Sequence, residues 1–168
     1  MKRLLAIVLI LVLTTSANAV FLQIDGTSTD SFQLNEGSGA SISIISEDDS
    51  SWLGYLIVEE GGNGILSNVA ILDAAGNLAS ANPYSEAGWG KGYELTAAST
   101  LVGEPVLATG EQFNFDFSGG ISGDTILVSL FLDPQYSTPV DSIAISIVPE
   151  PVTIALFGFG ALFLRSRK

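Results

Sequence analysis

Carboxylates are the only abundant side chains in this sequence that could carry out acid–base chemistry. The chain has 18 Asp and Glu residues against six Lys and Arg residues, and it contains neither histidine nor cysteine. Ser-His-Asp and Cys-His catalysis and the usual zinc sites are therefore excluded. The pairs Glu59-Glu60 and Asp48-Asp49 are adjacent in sequence, and adjacent residues of a strand point to opposite faces. Neither pair therefore indicates an acid–base dyad.

A serine–lysine catalytic pair would have to use Lys91, which lies in the segment Gly90-Lys91-Gly92. We interpret this segment as an exposed loop, whereas a nucleophile-activating lysine needs a desolvating pocket. We therefore predict a protein that is not an enzyme and that needs no cofactor.

Two acidic turns are weak candidates for calcium binding. The first contains Asp25 and Asp30, and the second contains Asp48 and Asp49. Calcium requires six or more converging oxygen ligands, and the spacing here matches no known calcium loop. We therefore favour solvated turns over a metal site that the four carboxylates would share.

An aromatic segment between residues 83 and 93 is the candidate binding site. Tyr84, Trp89 and Tyr93 lie there in what we interpret as a glycine-rich loop, and Glu86 and Lys91 could hydrogen-bond to hydroxyl groups. Such a loop could form a platform on which sugar rings stack. In the alternative that we favour, Trp89 folds back and covers one open end of the fold, as large amphipathic rings often do.

The elements that must position these residues are strands. Phe113, Phe115 and Phe117 alternate with polar residues, and so do Ile143, Ile145 and Ile147. This period of two is typical of half-buried strands. Ser41, Ser43 and Ser46 interleave with Ile42, Ile44 and Ile45, and the nearly continuous apolar run 125–132 predicts a central strand.

Short apolar runs separated by turn residues predict an all-β fold, a single antiparallel β-sandwich over residues 20–147. Such a length is enough for one self-sufficient core without disulfides. This region holds 17 acidic residues and Lys91 as its one basic residue, a net charge of −16. Nucleic acid is excluded as a partner, because phosphate binding needs clustered Lys and Arg.

Residues 1–19 have the pattern of a signal-peptide helix. Lys2 and Arg3 precede the apolar run 4–13, and Ala17-Asn18-Ala19 is a small-x-small cleavage site that would leave Val20 as the first residue. Ten apolar residues give a helix of about 15 Å, against a hydrocarbon core of about 30 Å. A cleaved signal is therefore favoured over a permanent anchor.

Residues 148–168 form a second targeting segment. The motif Val148-Pro149-Glu150-Pro151 precedes the uncharged run 152–164, which we predict to be a transmembrane helix. A basic tail over 165–168, with Arg165, Arg167 and Lys168, stops that helix on the cytoplasmic side. Thirteen residues span only about 20 Å as a helix, so the segment is better suited to transient than to permanent residence.

The order of these parts resembles a PEP-CTERM sorting signal, whose namesake motif matches Pro149, Glu150 and Pro151. The resemblance implies recognition by a membrane exosortase, cleavage near the motif, and release to or attachment at the outer surface of a Gram-negative, polysaccharide-producing bacterium. The sandwich is similar at the level of pattern to cohesin-type and other Ig-like jelly rolls, in which a turn such as Gly110-Glu111 leads into an aromatic strand such as 112–117.

The sequence therefore predicts an exported, non-enzymatic protein with a structural or adhesive sandwich. It would cross the inner membrane in transit, meet an exosortase-type enzyme there, and reach the cell surface or the extracellular matrix. The alternative is a carbohydrate-binding module that holds extracellular polysaccharide through Tyr84, Trp89 and Tyr93.

Overall fold

The computed structural model describes residues 20–59, 63–99, 107–133, 135 and 138–150, which form ten strands and one short 3₁₀ helix over Asp73–Ala75. The strands, in chain order, are β1 (Val20–Ile24), β2 (Ser31–Asn35), β3 (Gly39–Ser46), β4 (Trp52–Glu59), β5 (Gly64–Ile71), β6 (Ser80–Glu86), β7 (Gly90–Ala97), β8 (Gly110–Gly119), β9 (Thr125–Phe131) and β10 (Asp141–Val148).

These strands form two sheets packed face to face. The four-stranded sheet has the order β1-β3-β8-β5, and the six-stranded sheet has the order β2-β10-β9-β4-β7-β6. The predicted all-β sandwich is confirmed. The prediction of a purely antiparallel fold is wrong at one pair, because β2 runs parallel to β10. The chain crosses from β1 in one sheet to β2 at the edge of the other. Because β2 and β10 are not joined by a hairpin, nothing forces them to run in opposite directions.

The core lies between the sheets and is built from alternate residues of each strand. The three phenylalanines of β8 and the three isoleucines of β10 are all buried, as the period-two pattern predicts. Strand β9 pairs with both β10 and β4, which confirms the prediction of a central strand. Between the two sheets, the ring of Tyr93 on β7 packs against the ring of Phe115 on β8, with centroids 5.2 Å apart.

A β-bulge on β8 changes the predicted direction of one polar side chain. Ile44 pairs with Phe113, whereas Ile45 pairs with Glu111, so Gln112 has no opposite residue on β3. Gln112 is fully buried, although the alternation predicts an outward position. Its Nε2 donates to the carbonyl of Ala108 at 3.0 Å, and its Oε1 accepts from Trp52 Nε1 at 2.7 Å. These bonds satisfy the buried amide.

The alternation on β3 also differs from the prediction at its last two residues. Ser46 is buried, and Ile45 lies half-buried on the outer face, which reverses the expected arrangement. The Ser46 hydroxyl donates to the carbonyl of Asp48 at 2.8 Å, so the turn after β3 supplies the partner that allows this serine to be buried.

The sandwich begins and ends close to the two predicted targeting segments. Val20 is the first residue of β1 and is buried, and the carbonyl of Val148 accepts a hydrogen bond of 2.9 Å from the backbone N–H of Glu36. Over the residues that the structure describes, no helix is long and apolar enough to span a bilayer. The predicted helices in 1–19 and 152–164 lie outside those residues, so they stay predictions.

Candidate functional site

The aromatic segment that we interpreted as a loop is a β-hairpin. Strands β6 and β7 pair in register from Ser80 with Thr96 to Glu86 with Gly90, and only residues 87–89 form the turn. Lys91 lies within β7 and pairs with residues of both β4 and β6. The loop assignment was therefore wrong, because glycines and a lysine concealed the alternation of a strand that is paired on both sides.

The three predicted platform residues do not lie on one face. Tyr84 pairs with Gly92, which is one residue before Tyr93, so Tyr84 and Tyr93 point to opposite faces of the six-stranded sheet. Tyr93 packs in the core against Phe115, whereas Tyr84 lies on the outer face against Tyr55, with ring centroids 5.1 Å apart. The predicted three-ring platform is not formed.

Trp89 folds back from the hairpin turn onto the outer face of the six-stranded sheet. Its ring meets Phe131 edge-on, with centroids 6.1 Å apart and planes at 86°, and the residue remains 38% exposed. The side chain does fold back, as we favoured, but it covers an outer sheet face instead of an open end between the sheets.

The four rings of Tyr55, Tyr84, Trp89 and Phe131 pack together with Ile57, and we call this group the outer aromatic cluster. Ile57 is fully buried although it points away from the sandwich core. It lines a pocket of about 190 Å³ together with Glu59, Trp89 and Phe131. The cluster is therefore a second, smaller hydrophobic core that the β6–β7 hairpin holds against β4 and β9.

Glycines of β7 make this packing possible. A Cβ atom at Gly92 would lie 1.8 Å from the carbonyl oxygen of Leu56 and 3.0 Å from the Cα of Ile57. Tyr55 and Tyr84 lie on the strands either side of β7, and their rings meet because no side chain stands between them at position 92. The sequence feature that indicates this cluster is a Gly-x-Gly strand with an aromatic residue on each of the two strands that pair with it. We did not recognise it from the sequence.

Two carboxylates border the cluster at the turn. Gly90 pairs with Glu59 on one side and with Glu86 on the other, so these backbones are two strand spacings, about 10 Å, apart. Glu59 accepts a hydrogen bond of 3.1 Å from the buried Ser129 hydroxyl, and Glu86 accepts one from the Tyr84 hydroxyl. With Lys91 they line an open pocket of about 600 Å³ that can hydrogen-bond to polar molecules.

The outer face of the four-stranded sheet is polar, in contrast to the aromatic cluster. Asn114 Nδ2 donates to Ser41 Oγ at 2.8 Å, to Ser43 Oγ at 3.0 Å and to Glu111 Oε1 at 2.9 Å. The serines of β3 that alternate with isoleucine thus belong to a hydrogen-bonded ladder across β3 and β8. The polar groups of the ladder hydrogen-bond to one another, so we assign the ladder a structural role in stabilising this face.

The four aspartates considered for calcium are not brought together. Asp25 follows the last residue of β1, whereas Asp48 and Asp49 follow β3, whose last residue pairs with the first residue of β1. The five residues of β1 therefore separate the two turns by about 16 Å. The Asp25 carboxylate accepts from Ser41 N–H at 2.8 Å and that of Asp48 accepts from Ser50 N–H at 2.9 Å. Asp30 lies beside β10, where its carbonyl accepts from Ala144 N–H at 2.9 Å. Among the residues described, no three acidic groups are placed to hold a metal ion.

Val148, the first residue of the predicted sorting motif 148–151, is also the last residue of β10. Pro149 and Glu150 are exposed and follow β10 without an intervening residue. The remaining predicted targeting residues fall on the ends of the chain that the structure does not describe, and they stay predictions; they are Ala17, Ala19, Pro151, Arg165, Arg167 and Lys168.

Solved structures of cohesin modules are similar to this chain. CaCohA2 from Clostridium acetobutylicum shares 13% identity and has a TM-score of 0.51, with 78% of this chain and 92% of CaCohA2 covered. The cohesin module of a family 33 glycoside hydrolase from Clostridium perfringens shares 16% identity with a TM-score of 0.48, covering 79% and 99%. The sixth cohesin of scaffoldin B from Acetivibrio cellulolyticus, solved in complex with a Cel5 dockerin mutant, shares 15% identity with a TM-score of 0.47, covering 76% and 96%.

No protein-family model matches the sequence, and no curated protein matches it. At identities this low, the likeness to CaCohA2 concerns the fold alone. It agrees with the cohesin-like β-sandwich that the strand pattern predicts.

Proposed function

We propose that this chain is an exported, non-enzymatic protein of the cell surface or extracellular matrix, sorted by an exosortase-type enzyme through Pro149-Glu150-Pro151. The observation that carries the proposal is the position of the motif. Pro149 and Glu150 are exposed at the point where a folded domain ends, so a processing enzyme can reach them while the sandwich stays intact.

The rest of the proposed route follows from the sequence of the two ends. The signal peptide 1–19 directs the chain across the inner membrane, and the helix 152–164 holds it there until the motif is processed. The basic tail with Arg165, Arg167 and Lys168 keeps the end of the chain on the cytoplasmic side. The strands that the structure describes lie between these segments, from Val20 to Val148.

A structural or adhesive role of the sandwich is supported by its construction. Its core is continuous across both sheets without any disulfide, and the region 20–147 carries a net charge of −16. Such a surface favours solubility and the association of cations outside the cell.

Sorting can be tested by replacing the motif. We expect the full chain, expressed with an exosortase-type enzyme, to reach the cell surface or the medium, and the triple variant Pro149→Ala, Glu150→Ala, Pro151→Ala to remain in the inner-membrane fraction. Immunoblots of separated fractions measure the distribution. Pro139→Ala is the matched control, because it removes an exposed proline outside the motif. Export of the triple variant at the wild-type level would overturn the proposal.

The carbohydrate-binding alternative makes a different prediction for Trp89. Because Tyr93 is in the core and Trp89 mainly covers Phe131, we expect Trp89→Ala to leave retention on matrix polysaccharide unchanged. The same variant should lose about 1–2 kcal/mol of unfolding free energy, less than a fully buried ring, because 38% of Trp89 is exposed. A glycan pull-down and urea unfolding measure the two effects, with Leu53→Ala as an exposed control. A loss of retention confined to Trp89→Ala would favour the carbohydrate-binding module.

A further inference from the structure

The strand register places the end of β10 and the Trp89 turn at the same end of the sandwich. Ser146 on β10 pairs with Thr125 at the start of β9, and Val128 on β9 pairs with Val58 on β4. Glu59 at the end of β4 pairs with Gly90, the residue after Trp89. Following these pairs across the six-stranded sheet leads from the exposed motif to the hairpin turn.

The β8–β9 loop and the start of β5 lie at this end as well. The N–H of Gly123 donates to the carbonyl of Ile147, and Gly64 at the start of β5 pairs with Gly119 at the end of β8. Asn63 Nδ2 also donates to the Asp124 carboxylate at 3.3 Å. We call this end, with Ile65, the turn 87–89 and the loop 120–124, the tail end of the sandwich.

Large apolar side chains are exposed at both ends of the sandwich, and the two most exposed of them lie at the tail end. Ile65 is 61% exposed, Ile121 is 59% exposed and Trp89 is 38% exposed. The other large exposed apolar residues of the described strands and loops, Leu53, Ile71 and Leu78, lie towards the opposite end. The two most exposed residues of the set are therefore both at the end where the chain leaves the fold.

The covalent link between this end and the apolar run 152–164 is short. Only Pro149, Glu150 and Pro151 separate Val148 from Val152, and a fully extended chain covers about 14 Å over that distance. Prolines on both sides of Glu150 also restrict the backbone. A chain whose tail is in the bilayer therefore holds the tail end of its sandwich close to the lipid headgroups.

We propose that, while the tail occupies the membrane, the tail end of the sandwich rests on the outer surface of that bilayer, with Ile65, Trp89 and Ile121 at the headgroup–acyl boundary. The inference rests on the proposed function, because it requires the inserted tail. Tryptophan suits this boundary, since its ring is amphipathic, and isoleucine gains from leaving water.

The charges at the tail end make this contact dependent on the tether. Glu36, Glu59, Glu86 and Asp124 lie at the tail end, and Lys91 lies beside Glu59 and Glu86. Four carboxylates against one ammonium mean that an anionic lipid surface repels the domain. The tail keeps the domain at a high local concentration next to the membrane and so offsets a weak surface affinity. Cleavage at the motif removes the tether, and the same carboxylates then favour release of the sandwich.

Brominated-lipid quenching of Trp89 tests this inference. The chain has two tryptophans, and Trp52 lies at the opposite end, where it pairs with Ala97. We expect Trp89 emission from the full-length Trp52→Phe chain to fall roughly twofold or more in phosphatidylcholine vesicles whose acyl chains are brominated near the headgroup. Added anionic lipid should weaken the quenching. The wild-type chain, with Trp52 as a second emitter, should show about half the effect if Trp52→Phe disturbs folding.

A reporter at the opposite end provides the matched control. The variant Trp52→Phe, Trp89→Phe, Leu78→Trp carries its one indole at an exposed position remote from the tail end, and its emission should not be quenched. Flotation with the vesicles separates the two proposals. A chain that does not float contradicts the membrane-inserted tail of the proposed function, whereas a floating chain with unquenched Trp89 overturns the inference alone.

Discussion

Replacing Phe115 with alanine is expected to lower the free energy of unfolding by about 3–5 kcal/mol. Phe115 is fully buried on β8, a strand that is paired with β3 on one side and β5 on the other. Its ring also contacts Tyr93 of the opposite sheet, so its removal leaves a cavity between the two layers. A domain of this size has only about 5–15 kcal/mol of stability, and this one has no disulfide to limit its unfolded state.

Urea unfolding followed by tryptophan fluorescence measures this loss, and Asp116→Ala is the matched control. Asp116 is the next residue of the same strand but points to solvent, where its carboxylate accepts a 2.8 Å hydrogen bond from Asn68. We expect Asp116→Ala to cost less than about 1 kcal/mol. Equal losses for the two variants would show that β8 does not present alternate residues to the core.

Gly92→Ala is expected to cost about 3 kcal/mol or more, although it adds a single methyl group. That methyl carbon would lie 1.8 Å from the carbonyl oxygen of Leu56. Because the obstacle is backbone of a paired strand, no change of side-chain rotamer relieves it, and β4 and β7 must separate. The contact between Tyr55 and Tyr84 over this position would be disturbed as well.

Gly37→Ala is the control for Gly92→Ala, because the chemical change is identical. A Cβ atom at Gly37 meets nothing within 4 Å, so only its positive φ of 79° opposes the substitution. That conformational strain should cost about 1 kcal/mol. Thermal unfolding of the two variants compares them directly. A Gly92→Ala protein that is as stable as Gly37→Ala would contradict the close approach of β7 to β4.

The parts of the fold that could be predicted are those in which local pattern and burial agree. The alternation of three phenylalanines predicts β8, and that of three isoleucines predicts β10, because one face of each strand lies on the core. The nearly continuous apolar run 125–132 predicts β9, which has neighbours on both edges and carries Ser129 and Phe131 on its outer face.

The parts that could not be predicted depend on which strands become neighbours. The hairpin of β6 and β7 contains Pro83, Gly90 and Gly92, residues that favour turns in isolation, and its strands form because β4 pairs with β7. The buried position of Gln112 depends on a bulge, which shifts the register by one residue relative to β3. The parallel pairing of β2 with β10 joins segments more than a hundred residues apart and leaves no local pattern.

The prediction of a three-ring platform was wrong for the same reason. Tyr84 and Tyr93 are close in sequence, and a loop would let both rings face one ligand. In the hairpin, Pro83 pairs with Tyr93, and this register places the two tyrosines on opposite faces of the sheet. The cluster that replaces the platform includes Tyr55 and Phe131, which only the tertiary fold brings near Trp89.

The intact mass of the protein recovered from the cell surface or the medium tests the central claim most directly. A sorted chain should begin at Val20 and end near Pro149, which leaves the sandwich and removes both hydrophobic segments. Mass spectrometry of the secreted product resolves the two ends at once. Recovery of a surface protein with the 17.5 kDa mass of all 168 residues would contradict the account.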